Sequence, residues 1–191
     1  MNLPNKLTIL RMIMIPVFVA VFYIHLIPYK YIISASIFAL AAFTDFLDGY
    51  LARKNNLVTD FGKFLDPIAD KVLVATAIII MLVPCPGDRA ILPWYASICV
   101  AVILARELMI SGFRLVAAKK GVVIAADKSG KIKTFLTDVA VLILLVSAGL
   151  TGRAFEIVNL IGLITFYLST ALTVYSGIEC IVKNKEVIAT K

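Results

Sequence analysis

The sequence predicts an all-α polytopic membrane protein, a bundle of six transmembrane helices. Three observations carry this expectation. Of the 191 residues, 61% are hydrophobic and 16% charged, whereas soluble domains run nearer half and a quarter. The mean hydropathy is +0.98. Apolar runs of the roughly 20 residues needed to cross a bilayer recur six times, at about 9–27, 31–53, 62–84, 92–118, 131–150 and 155–182.

The first run holds Arg11 and Pro16. It lacks the small-residue cleavage pattern of a signal peptide and is expected to be retained. The second and third runs carry acids at the ends that face each other across residues 54–61. The fourth begins at Trp94 and Tyr95, placed as an interfacial aromatic anchor, and contains Arg106. The fifth follows the second long connection, 115–130. The sixth ends with Glu179 and Lys183, spaced i,i+4 for an ion pair. No linker, repeat or low-complexity tract interrupts the chain, so residues 1–191 are expected to form one domain. Cys85, Cys99 and Cys180 have no metal-binding spacing and are expected to be structural. His25 falls in a loop and is expected to be solvated.

The net charge of +7 follows topology, which argues against nucleic acid as partner. With the N-terminus in the cytoplasm, sixteen of the nineteen Lys and Arg residues lie on the inner side. Only Lys30, Arg89 and Arg153 lie on the outer side. This is a strong positive-inside bias, and it places both termini in the cytoplasm.

Four carboxylates stand out in "DFLDGYLARKNNLVTDFGKFLDPIAD", residues 45–70. At about 100° per residue, Asp48 lies about 60° to one side of Asp45, Gly49 about 40° to the other, and Ala52 about 20° off. Asp66 and Asp70 lie about 40° and 80° from Gly62. Each helix therefore presents two acids and at least one very small residue on a single face. Eight residues of helix rise about 12 Å, so an antiparallel pair brings the four acids to similar depth. Ionised acids in a membrane are costly and repel one another. Two divalent cations would balance them, and oxygen ligands without His or Cys favour Mg²⁺ or Mn²⁺. Gly49, Ala52 and Gly62 leave clearance for a phosphorylated ligand. An acid-lined cation transporter is the competing class, but such sites usually lie at the midplane within inverted repeats, and neither is visible here.

Asp45-x-x-Asp48-Gly49-x-x-Ala52-Arg53, eight residues, then Gly62-x-x-x-Asp66-x-x-x-Asp70 resembles the CDP-alcohol phosphotransferase signature at every fixed position. The resemblance implies a six-helix membrane bundle, usually a homodimer. It implies that Asp45, Asp48, Asp66 and Asp70 hold two divalent cations, Mg²⁺ or Mn²⁺. Asp70 would also be the general base, and Asp48, Gly49, Ala52, Arg53 and Gly62 would line the CDP site. "NLPNKLTILRMIMIP", with Asn5, Thr8 and Arg11, resembles the start of bacterial phosphatidylglycerophosphate synthases, as do "ILARELMISGFRLVA" and "SGKIKT". That resemblance implies CDP-diacylglycerol as donor and sn-glycerol 3-phosphate as acceptor. It also implies a bacterial cytoplasmic membrane, with the active site on the cytoplasmic side. Asn5 and Thr8 would reach the nucleotide, although Asn5 equally suits a helix cap. Arg106, Arg114, Lys131 and Lys133 supply cations for the acceptor phosphate. The alternative for Arg106 is a pair with Glu107 or Asp138. Phosphatidylglycerol, serine or an inositol phosphate as acceptor would keep the same chemistry.

Overall fold

In the computed structural model the backbone is described except at residues 1–2, 56–59, 86, 123, 125–127 and 186–191, and side chains except at 1–7, 45–67, 70, 86, 123, 125–128 and 186–191. Among the described residues the chain is all-helical, with no strand. The elements are α1 (Leu3–Tyr23), α2 (Lys30–Asn55), α3 (Asp60–Ile80), α4 (Ala96–Lys119), α5 (Lys128–Ala148) and α6 (Gly152–Lys183).

Each helix covers one of the six apolar runs, with ends displaced by a few residues. α1 starts before its run and α5 begins at Lys128. A helix extends through polar residues while its i→i−4 bonds are made, but hydropathy detects only the apolar portion. Pro16 lies within α1.

Among the described residues two helices, α4 and α6, have the length and composition to cross a membrane, with mean hydropathies of 1.8 and 1.9. Only 22% and 28% of their apolar windows are buried. Their apolar side chains thus point mostly outward, as on helices facing lipid rather than a soluble core. α1, α2 and α3 carry shorter apolar stretches, Thr8–Tyr23, Lys30–Thr44 and Lys71–Ile80.

α3 touches α1, α2, α4 and α5, which makes it the central helix, and α6 lies against α4 and α5. Phe18, Phe22, Phe38, Leu73, Met81, Leu144 and Phe166 form a fully buried core between these helices. α5 and α6 approach closely: a Cβ at Gly162 would lie 2.8 Å from Leu144 Cδ2. Only glycine allows that approach with Leu144 in place.

One end of the bundle is closed by a polar latch. Lys30 Nζ donates to Asp88 Oδ2 at 2.6 Å, and the Tyr31 hydroxyl donates to the same oxygen at 2.8 Å. These bonds hold the Asp88 carboxyl below its ordinary range and tie the start of α2 to the α3–α4 connection. His25 is exposed, as expected, with its Nδ1 3.4 Å from Lys30 Nζ. Trp94, exposed, meets Tyr95 edge to face at 5.8 Å. The three cysteines are free thiols, and Cys85 makes a long Sγ contact to the Phe22 carbonyl at 3.4 Å.

Candidate active site

α2 carries positions 45–53 and α3 carries positions 62–70 on helical backbone, and the two helices pack together. The side chains of Asn5, Asp45, Asp48, Gly49, Ala52, Arg53, Gly62, Asp66 and Asp70 lie outside the described residues. For them the helical register is what the structure supplies. On α1, Thr8 is buried, and Arg11, one turn further, is fully buried. Sequence reasoning counted Arg11 as an inner-side charge and did not foresee its burial.

Directly after Asp70 the structure opens into a cavity of about 280 Å³ between α3, α4 and α5. Its polar wall is Lys71, Glu107, Lys133, Thr134 and Thr137, and Val74, Ile78 and Ile103 are among its apolar lining. Val74 follows Asp70 by four residues and so lies about 40° from it on α3. The helix that bears two of the signature acids therefore also forms one wall of a cation-lined cavity.

The cations are held by a bonded network. Lys133, with 7% of its side chain exposed, pairs with Glu107 Oε1. A lysine so far from solvent needs such a counter-ion, because an isolated buried ammonium is strongly disfavoured. Arg106 donates through Nη1 to the same Glu107 oxygen at 3.0 Å and through Nη2 to Ser176 Oγ at 2.9 Å. Lys71 bonds the Ser111 hydroxyl, which donates to the Glu107 carbonyl oxygen. Among the described residues, three cations from three helices thus gather around Glu107.

The four cations singled out from the sequence separate in space. Lys133 lines the cavity. Arg106 stands behind Glu107, with both terminal nitrogens committed to the protein. Arg114 is half-buried two turns further along α4, and Lys131 is exposed. Lys71, Glu107 and Thr137 line the cavity and were not foreseen as its wall. From the sequence, Lys71 counts among the inner-side charges, and Glu107 only as a possible partner of Arg106. The available signal was an Arg-Glu pair in an apolar run with Ser111 one turn on, an arrangement that asks for partners from other helices. Glu179 pairs with Lys183 at 2.6 Å, as its spacing predicted, and also accepts from Ser129 at 2.6 Å.

The sequence matches the CDP-alcohol phosphatidyltransferase family over residues 1–175. The chain belongs to that family. Among relatives of this CDP-alcohol phosphatidyltransferase is the CDP-diacylglycerol–glycerol-3-phosphate 3-phosphatidyltransferase of Bacillus subtilis. It is 40% identical, with 99% of this chain and 98% of the relative aligned. Proteins of the same description from Rickettsia bellii and Salmonella paratyphi A are 43% and 38% identical. They cover 92% and 93% of this chain, and 91% and 92% of their own lengths.

Proposed function

We propose that this chain transfers the phosphatidyl group of CDP-diacylglycerol to sn-glycerol 3-phosphate, giving phosphatidylglycerol phosphate and CMP. The family match and the near-full-length relatives described by this reaction support it. The observation that carries the choice of acceptor is the cavity wall of Lys71 and Lys133, backed by Arg106 and Glu107. Among the described residues it gathers three cations about one carboxylate, which suits a phosphate monoester carrying about −1.5 to −2 at neutral pH.

Asp45, Asp48, Asp66 and Asp70 form an oxygen-only donor set on two packed helices, which suits hard divalent cations. Two Mg²⁺ or Mn²⁺ ions held there would stabilise charge on the attacking and leaving oxygens. Arg53, with Asn5, Thr8 and the small residues Gly49, Ala52 and Gly62, would receive the CDP moiety. Lys133 and Lys71 would hold the acceptor phosphate, with Arg114 and Lys131 along its approach. Asp70 would take the proton of the acceptor's primary hydroxyl as its oxygen attacks the phosphorus bonded to diacylglycerol. The bond from that phosphorus to CMP breaks, and CMP leaves with the electron pair. The signature contains no Ser, Cys or His, which favours direct displacement over a covalent enzyme intermediate.

The setting proposed is a single bundle of six spans, dimeric as the family resemblance implies. It would lie in a bacterial cytoplasmic membrane with the site on the inner side, as the charge bias favours. The lipid donor would then enter sideways from the inner leaflet. The test is CMP release by purified protein in detergent with CDP-diacylglycerol and Mg²⁺ or Mn²⁺. Glycerol 3-phosphate, phosphatidylglycerol, serine and inositol phosphate are compared, with Asp70→Asn as control. Release confined to glycerol 3-phosphate and lost in the control is expected. Release with another acceptor overturns the acceptor assignment, and ion flux without CMP overturns the reaction.

A further inference from the structure

We infer that Ser176 and Gly177 of α6 are positioning residues for acceptor binding, acting through Arg106 and Glu107 on Lys133. The inference rests on the acceptor pocket proposed above. Arg106 does not line the cavity, yet it is gripped from two sides. Its Nη2 donates to Ser176 Oγ at 2.9 Å and its Nη1 to Glu107 Oε1 at 3.0 Å. Ser176 is buried, and its own hydroxyl donates to the Thr173 carbonyl oxygen at 3.2 Å, which sets its direction. Gly177 supplies the space: a Cβ there would lie 3.0 Å from Arg106 Cγ and 3.4 Å from Nε. The stem of Arg106 thus lies directly against the α6 backbone, and an added Cβ would push it aside by a few tenths of an ångström.

The order of contacts is α6 to Arg106, Arg106 to Glu107, and Glu107 to Lys133 on the cavity wall. Glu107 has one carboxylate to share between two cations, and both bonds fall on Oε1. A displaced guanidinium therefore pulls the same oxygen that aims the Lys133 ammonium. α6 bears none of the cavity lining, so Ser176 and Gly177 act on the acceptor site through Arg106 and Glu107 rather than by direct contact. Both residues lie just beyond the stretch matched to the family, residues 1–175.

The experiment measures KM for glycerol 3-phosphate, KM for CDP-diacylglycerol and kcat in Ser176→Ala, Gly177→Ala and Lys133→Met. Gly177→Ala is tolerable to the fold because the group that must yield is a flexible side chain. Ser176→Thr, which keeps the hydroxyl, is the rescue control. The acceptor KM should rise about tenfold in Ser176→Ala and Gly177→Ala, the scale of one lost hydrogen bond to a charged group. The donor KM and kcat should stay within about twofold, and Ser176→Thr should recover most of the loss. Unchanged acceptor KM in both α6 variants overturns the inference. So does a parallel change in donor KM and kcat, which marks a purely structural role. If Lys133→Met itself leaves the acceptor KM unchanged, the pocket assignment fails. If Lys133→Met raises it and the α6 variants do not, only the relay fails.

Discussion

Glu107 of α4 and Lys133 of α5 form an ion pair across the cavity wall, with 21% and 7% of their side chains exposed. Arg106 shares the same carboxylate oxygen at 3.0 Å, so one acid serves two cations from two helices. Removing one partner of a buried pair typically costs about 3–5 kcal/mol, because the remaining charge stays buried. Glu107→Ala should fall near the lower end of that range, given its partial exposure, and should lower the melting temperature in detergent. Glu107→Gln combined with Lys133→Met should recover part of the loss, since the Lys133 charge is then removed while Arg106 still lacks its carboxylate. A Glu107→Ala protein as stable as wild type would show the network to be energetically idle.

Chelation should abolish turnover. With EDTA, CMP release stops, and added Mg²⁺ or Mn²⁺ restores it. Asn at Asp45, Asp48, Asp66 or Asp70 should each lower the rate by at least ~100-fold, the scale of a lost catalytic or charge-stabilising group. Without metal the same substitutions should raise the melting temperature, because four neighbouring carboxylates repel. Retained Mn²⁺ binding by electron paramagnetic resonance in Asp66→Asn would remove that residue from the ligand set.

Asp88 gives the protein a pH dependence at the end of the bundle where α2 begins. Hydrogen bonds from Lys30 and Tyr31 lower its carboxyl below the ordinary value of 3.8. A carboxyl depressed in the folded state stabilises fully above its unfolded pKa, and the contribution is lost as pH falls through the folded value. The group is about a third exposed, so after solvent screening the contribution is about 0.5 kcal/mol. The melting-temperature gap between wild type and Asp88→Asn should therefore be constant above about pH 5 and close in stronger acid. A gap that instead widens in acid would reverse the sign argued here.

Gly162 tests the α5–α6 seam. An added Cβ meets the fully buried Leu144 at Cδ2, 2.8 Å away, and the half-buried Ile143 at Cγ2, 3.2 Å away. Gly162→Ala should destabilise by about 1–3 kcal/mol, the usual range for overpacking, despite alanine's better helix propensity. Pairing it with Leu144→Ala should return part of the loss. Thermal unfolding that is unchanged in the single variant would mean that the seam can open without penalty.

Much of this protein is readable along one dimension. The helices follow from apolar runs and satisfied backbone bonds, which depend on neighbours a few residues away. Glu179 and Lys183 pair as their i,i+4 spacing requires. The signature from Asp45 to Asp70 likewise lies on two adjacent helices whose register is local. Arg106 was only half readable: Glu107 was anticipated as a possible partner, but Ser176, seventy residues away, was not.

The sequence alone thus determined the helical class, the charge asymmetry, the acid signature and the family it resembles. The tertiary structure decided that Lys71, Glu107 and Lys133 share one cavity while Lys131 faces outward. It also decided that the stem of Arg106 lies against Gly177 of α6. The physical reason is that helical periodicity fixes directions within a helix, whereas the rotation and depth of one helix against another come from side-chain packing.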